Sequence, residues 1–158
     1  MFEKIKTTAF APDEPLLVWD GKCGFCAYWT TRWQRKTPKE IRFEPFQKTA
    51  EKFKDIPLHA FQTSSKLIEP DGSVFNGPDS AYRSLWHAGN KFWHRLYTSN
   101  RFFEKLSDSG YNHIAKNRDF YYKLTVFCFG KNPASPKHYW LLYLLTLIIL
   151  LIILLNVL

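Results

Sequence analysis

Only three cysteines and a single methionine occur in this sequence. So small and odd a number of cysteines builds no disulfide framework, and the chain must be held by a core. Its 46% apolar content over 158 residues suffices for one domain with an added segment. A second Cys-x-x-Cys and any His-x-x-x-His are missing. Cys128 stands alone, and His59, His87, His94, His113 and His138 are scattered, so the usual spacing of zinc ligands is absent and neither a metal nor another cofactor is expected. Acidic residues are also few, 14 against 22 Lys and Arg, for a formal net charge of +8. The basic residues are interleaved with acidic ones rather than gathered in a stripe, which argues against nucleic acid as a partner and fits attraction to anionic lipid headgroups. Met1-Phe2-Glu3-Lys4-Ile5-Lys6 opens no apolar run, so no signal peptide is expected. Internal repeats and low-complexity linkers are lacking as well.

What the sequence does contain is organised around Leu16-Leu17-Val18-Trp19-Asp20-Gly21-Lys22-Cys23-Gly24-Phe25-Cys26. A short apolar run, an Asp-Gly turn, and Cys26, Trp29, Thr30 and Trp33 in helical spacing predict a strand, a turn and a helix that begins at the cysteine pair. The free N–H groups and positive dipole end of such a helix stabilise an anion, so Cys23 is the candidate thiolate and nucleophile. Cys26, one turn inward, is placed to resolve a mixed disulfide formed at Cys23. Lys22, Gly24 and Phe25 are the supporting neighbours; the Lys22 charge favours the thiolate unless it is simply solvated. Asp20 has two readings: a proton acceptor for Cys26 during exchange, or a cap on the turn. Inert buried thiols and half of a metal site are the competing readings of the pair.

Along the chain, residues 1–13 form an arm and 14–90 the core. Ile41-Arg42-Phe43-Glu44 alternates as a second strand after a helix ended by Thr37-Pro38, and Phe46 to Phe53 is a short helix. Phe61 to Glu69, ending in Lys66-Leu67-Ile68-Glu69, and Ser73-Val74-Phe75 are strands joined by the tight turn Pro70-Asp71-Gly72, and Ser80 to Ala88 is a helix. The expected fold class is α/β: strand, helix, strand, short helix, strand, strand, helix, the order of a thioredoxin-like domain with its reactive cysteines after the first strand. Residues 91–130 are rich in Phe, Tyr and Trp and predict two or three added helices, broken near Ser99-Asn100 and Asp108-Ser109-Gly110. His87 and His94 are expected at the surface. Residues 131–138 form a hinge.

Tyr139 to Leu158 carries no charge and is dominated by Leu and Ile, and its length predicts a C-terminal transmembrane helix. Lys116, Arg118, Lys123, Lys131 and Lys137 precede it with only Asp119 opposing, which predicts a tail-anchored, single-pass protein with its globular part on the cytosolic side. Tyr139, Trp140 and Tyr143 would lie at the headgroup level.

Asp20-Gly21-Lys22-Cys23-Gly24-Phe25-Cys26 resembles the signature of the DCC family of thiol-disulfide oxidoreductases, named for Asp-x-x-Cys-x-x-Cys. Pro70-Asp71-Gly72, Gly77-Pro78-Asp79-Ser80-Ala81, Leu85-Trp86, and Tyr111 with Ile114-Ala115-Lys116-Asn117-Arg118 resemble its later blocks in order, so the likeness covers about residues 16 to 120. It implies a thioredoxin-like fold and a redox-active dithiol whose partner is a protein or small-molecule disulfide. Asn117 and Arg118 are expected to anchor the C-terminal helices to the sheet, the alternative being a polar contact near the active site. Ala60-Phe61-Gln62-Thr63-Ser64 holds no proline, a departure from the wider thioredoxin group, which receives substrate backbone beside a cis-proline there. The alternative function is a redox-idle accessory subunit of a larger membrane complex, since abundant aromatic residues also suit an interface.

Overall fold

The computed structural model describes residues 1–37 and 39–157, with side chains to Leu155. Pro38, expected to help end the first helix, and Leu158, the end of the expected span, lie outside the described residues.

Strand β1 (Leu16–Trp19) is the buried centre of the sheet. Alternation along a strand sends its side chains to opposite faces, and β1 is apolar on both. Leu16 and Val18 join Phe53, Ile56, Phe61, Ile68 and Val74 in one apolar layer, and Leu17 joins Ile41 and Leu67 in the other, flanked by Trp19, Trp33, Phe43 and Phe75. Helix α1 (Gly24–Gln34) carries the chain to β2 (Arg42–Pro45), which pairs parallel with β1 in the register Leu16 to Arg42 and Trp19 to Pro45. A parallel pair requires such a crossover. Helix α2 (Phe46–Thr49), a 3₁₀ turn (Ala50–Lys52) and α3 (Leu58–Thr63) then cover the first layer, with Phe61 against Phe53. Strands β3 (Lys66–Ile68) and β4 (Val74–Asn76) are antiparallel to each other, and β3 is antiparallel to β1, which gives the order β2-β1-β3-β4. Gly72 has φ +83, and a Cβ there would lie 2.6 Å from the Thr8 carbonyl oxygen, so the β3–β4 turn requires glycine.

Helix α4 (Pro78–His87) packs on the second face, where the Arg83 guanidinium lies 4.9 Å from the Phe75 ring centre. The aromatic extension folds as α5 (Phe92–Ser99), α6 (Arg101–Lys116) and α7 (Arg118–Phe129). The first break falls at Asn100, whose side chain caps α6 by accepting from Phe103 N–H at 3.0 Å. The second falls at Asn117 rather than at Asp108-Ser109-Gly110: α6 runs through Gly110 because neighbours at Ser107 and Tyr111 are tied to α4 and to the segment before β3. His87 and His94 depart from the expected surface positions. His87 bonds to Glu69 at 2.8 Å, and the buried His94 to Asp79 at 2.7 Å. The N-terminal arm is tied down too, by a Thr7–Ser73 bridge and by Phe2, buried edge-on against Tyr111.

The expected transmembrane helix is corrected by the structure. The apolar segment is helical, α8 (Tyr139–Val157), but among the described residues no helix is long and apolar enough to cross a membrane. Tyr143, assigned to the headgroups, instead stacks on Phe127 of α7 with ring centres 4.4 Å apart. The single-pass span, the tail anchor, the cytosolic-face placement, the bilayer partner and a membrane complex are therefore not supported. The fold class is a mixed α/β domain: a four-stranded sheet and, among the described residues, eight α-helices.

Candidate active site

The cysteine pair sits where β1 hands over to α1. Asp20 and Gly21 turn the chain, Cys23 N–H closes the turn onto the Asp20 carbonyl at 3.1 Å, and Cys23 becomes the N-cap of α1. Its Sγ accepts the Cys26 backbone N–H at 3.1 Å, and no acidic residue occupies the first helical turn. An unpaired donor of the helix end is thus aimed at the outer sulfur, and no carboxylate within that turn opposes a negative charge. Cys23 and Cys26 are joined as a disulfide with Cα atoms 5.2 Å apart.

Asp20 is held from three directions. Its Oδ1 accepts from Lys22 N–H at 3.1 Å and from Gln47 Nε2 at 2.9 Å, and its Oδ2 accepts from Arg118 Nη1 at 3.1 Å. Arg118 continues across the cleft, donating through Nη2 to the carbonyls of Gln62 and Thr63 at 3.2 and 3.3 Å. The anchoring expected of Arg118 and a contact beside the cysteines are therefore the same interaction. Gln47, from α2, was not singled out by any motif, and its Oε1 also accepts Gly21 N–H at 3.0 Å.

The supporting neighbours divide by position. Lys22 is exposed and reaches the site through its backbone N–H. At Gly24 a Cβ would stand 3.3 Å from the Tyr122 ring, so this position lets α7 approach the start of α1. Phe25 meets Tyr121 edge-on and Trp29 at a tilt. Burial pushes the Tyr28 hydroxyl up from its usual range, against the nearby Arg32 charge. Cys128, near the end of α7, is a half-buried free thiol apart from the pair.

Beside Cys26 opens a cavity of about 430 Å³. Trp19, Trp29 and Trp33 form one side, Tyr111 and Ile114 of α6 another, and Ala81 of α4 a third. Asp20 and Arg118 also line it. Sequence reasoning missed this space because its walls come from segments far apart in the chain.

A family model described as DCC1-like thiol-disulfide oxidoreductase matches residues 17–124, more than half of the chain. The chain belongs to this family. The matched stretch runs from β1 into α7 and so contains the cysteine pair, Asp20, the cavity walls and Arg118. The chemistry of a DCC1-like thiol-disulfide oxidoreductase is carried by cysteines and acts on disulfides, with no further cofactor required. Among the described residues no group of three or more His, Cys, Asp or Glu is arranged to hold a metal ion. The sheet of this DCC1-like protein, with its parallel first pair and antiparallel second half, is the thioredoxin-like arrangement expected from its sequence. Searches of curated proteins and of solved structures return no match.

Proposed function

We propose that Cys23 and Cys26 are the working dithiol of this thiol-disulfide oxidoreductase, with Cys23 as nucleophile and Cys26 as resolving thiol. The observation that carries this reading is the Cys26 N–H directed at Cys23 Sγ from the first turn of α1. That donor and the helix dipole favour the Cys23 thiolate near neutral pH.

In the reductive direction the Cys23 thiolate attacks one sulfur of a substrate disulfide. The substrate S–S bond breaks, the departing thiolate takes a proton, and a mixed disulfide remains on Cys23. Cys26, deprotonated, then attacks Cys23 Sγ, releasing the second substrate thiol and closing the Cys23–Cys26 bond. Two electrons pass from the dithiol to the substrate; the reverse sequence oxidises a substrate dithiol. Asp20 is a positioning residue. Its carboxylate, engaged by Lys22 N–H, Gln47 and Arg118, holds the turn that presents Cys23. Gly24 and Phe25 support the pair by admitting and contacting α7, and the Lys22 charge lies beside it in solvent.

The test is the reduction potential of the couple in the full chain, equilibrated in thiol–disulfide buffers and read by alkylation. A reversible two-electron couple within roughly −120 to −270 mV, absent in Cys23→Ser, is the expected result. A pair that closes only on unfolding would be redox-idle, and the dithiol reading would fail.

A further inference from the structure

Residues 62–65, from the end of α3 to the start of β3, border the cavity at Cys26 through Ser64 and Ser65, and their backbone is already engaged. The Gln62 and Thr63 carbonyls accept from Arg118 Nη2, and Ser65 N–H donates to the Tyr111 hydroxyl at 3.0 Å. An extended polypeptide binds a cleft of this kind by main-chain hydrogen bonds, and here α6 engages the Ser65 N–H while α7 occupies one lone pair of each carbonyl. What remains open at the cysteines is the cavity of about 430 Å³ lined by Cys26 itself. Its size falls within the range of small-molecule sites, its walls are chiefly Trp, Phe, Tyr and aliphatic side chains, and the charges of Asp20 and Arg118 on its lining neutralise each other at 3.1 Å.

We propose that the cavity receives the apolar body of a small uncharged disulfide and thereby sets the substrate class, an inference that rests on the dithiol reading above. The body of the substrate occupies the space between Trp29, Ala81 and Ile114 while its disulfide reaches the cysteine pair. Cys23 attacks the nearer substrate sulfur, the other sulfur leaves as a thiolate and is protonated, and Cys26 displaces the first from Cys23. Net, one protein dithiol and one substrate disulfide become one protein disulfide and two substrate thiol groups. A disulfide with charged ends, such as glutathione disulfide, would have to bring unpaired charge against an apolar wall, and is disfavoured.

The experiment compares oxidation of the reduced full-length protein by lipoamide, a neutral cyclic disulfide with an apolar chain, and by glutathione disulfide. Each rate is divided by the rate of the same disulfide with dithiothreitol. The expected result is a preference for lipoamide of at least about tenfold, reduced by about tenfold in Ala81→Phe and in Ala115→Phe, which fill the cavity from α4 and α6. Independently of the variants, lipoamide should quench the tryptophan fluorescence of the oxidised protein saturably, because Trp19, Trp29 and Trp33 line the cavity. Equal normalised rates, or quenching that rises linearly without saturation, overturn the proposal and leave the dithiol reading standing. If neither disulfide oxidises the reduced protein, and neither dihydrolipoamide nor glutathione reduces the oxidised protein, the dithiol reading itself fails and takes this proposal with it.

Discussion

Arg118 Nη1 lies 3.1 Å from Asp20 Oδ2, across 98 residues of sequence, and the same guanidinium holds the carbonyls of Gln62 and Thr63. One side chain from α7 thus joins the turn before Cys23 to the segment before β3. Both partners are about one-fifth exposed, so solvent screens the pair only in part.

Asp20→Asn and Arg118→Met should each lower stability by about 1–3 kcal/mol, because each leaves a partly buried partner short of a bond. The double variant should cost less than the sum, with a coupling of about 0.5–3 kcal/mol. Urea denaturation of the four proteins measures this directly. Additive losses would mean that the two side chains act separately.

Cys23→Ser should abolish disulfide exchange, whereas Cys26→Ser should retain the first step and accumulate a mixed disulfide on Cys23. Intact mass after incubation with a small disulfide distinguishes them: an adduct on Cys26→Ser and none beyond the level of Cys128 labelling on Cys23→Ser. The opposite pattern would exchange the roles of the two cysteines.

The strand, turn and helix at Leu16 to Gln34 were legible in the sequence because every signal there is local: an apolar run, Asp-Gly, and helical spacing. Helix α3 was not: Phe61 to Thr63, read as the start of the next strand, is its last turn, since six residues after Pro57 are too few to show a period and only the burial of Ala60 and Phe61 defines its face. Gly110 was read as a break by propensity alone, and the packing of Tyr82, Phe103 and Ser107 outweighs it. His87 and His94 looked like surface residues because their partners, Glu69 and Asp79, meet them only once α4 is laid on the sheet. The Asp20–Arg118 link was equally hidden, although the family block around Asn117-Arg118 pointed to the right residue. At the C-terminus the apolar run was read as a transmembrane span; the structure forms a helix there, but among the described residues no helix is long and apolar enough to cross a membrane.

Two glycines should respond to alanine with opposite signs. A Cβ at Gly21 would lie 2.7 Å from the Pro45 Cβ, a contact no rotamer change relieves, so Gly21→Ala should cost about 1–3 kcal/mol. A Cβ at Gly110 meets nothing within 4 Å inside a regular helix, so Gly110→Ala should add about 0.5–1 kcal/mol. Thermal melts of both variants check the pair, and a destabilised Gly110→Ala would mean that α6 is not continuous there.

Lys66 gives the pH dependence a specific origin. It lies wholly buried in β3, its ammonium bonded to Asn76 Oδ1 at 2.9 Å and Ser64 Oγ at 3.2 Å, and burial pulls its pKa down to about 8 against the weaker opposing pull of Glu3. A lysine in the unfolded chain titrates near 10.5. Between these values the unfolded state binds more protons than the folded one, so this group makes stability rise with pH from about 8 to about 10. Below about 8 both states carry the charge, and its burial is an undiminished cost. The rise should amount to about 2 kcal/mol over that window, at about 1.4 kcal/mol per pH unit of full difference. Lys66→Met should remove it, and Asn76 Oδ1 would keep the Ile5 N–H as a donor at 3.3 Å. The comparison stops at pH 10 because Lys4 and Tyr97, both shifted upward in the fold, contribute the opposite slope above it. Urea midpoints of the two proteins at pH 7, 8, 9 and 10 should converge as pH rises, and parallel curves would show that Lys66 does not titrate in the fold.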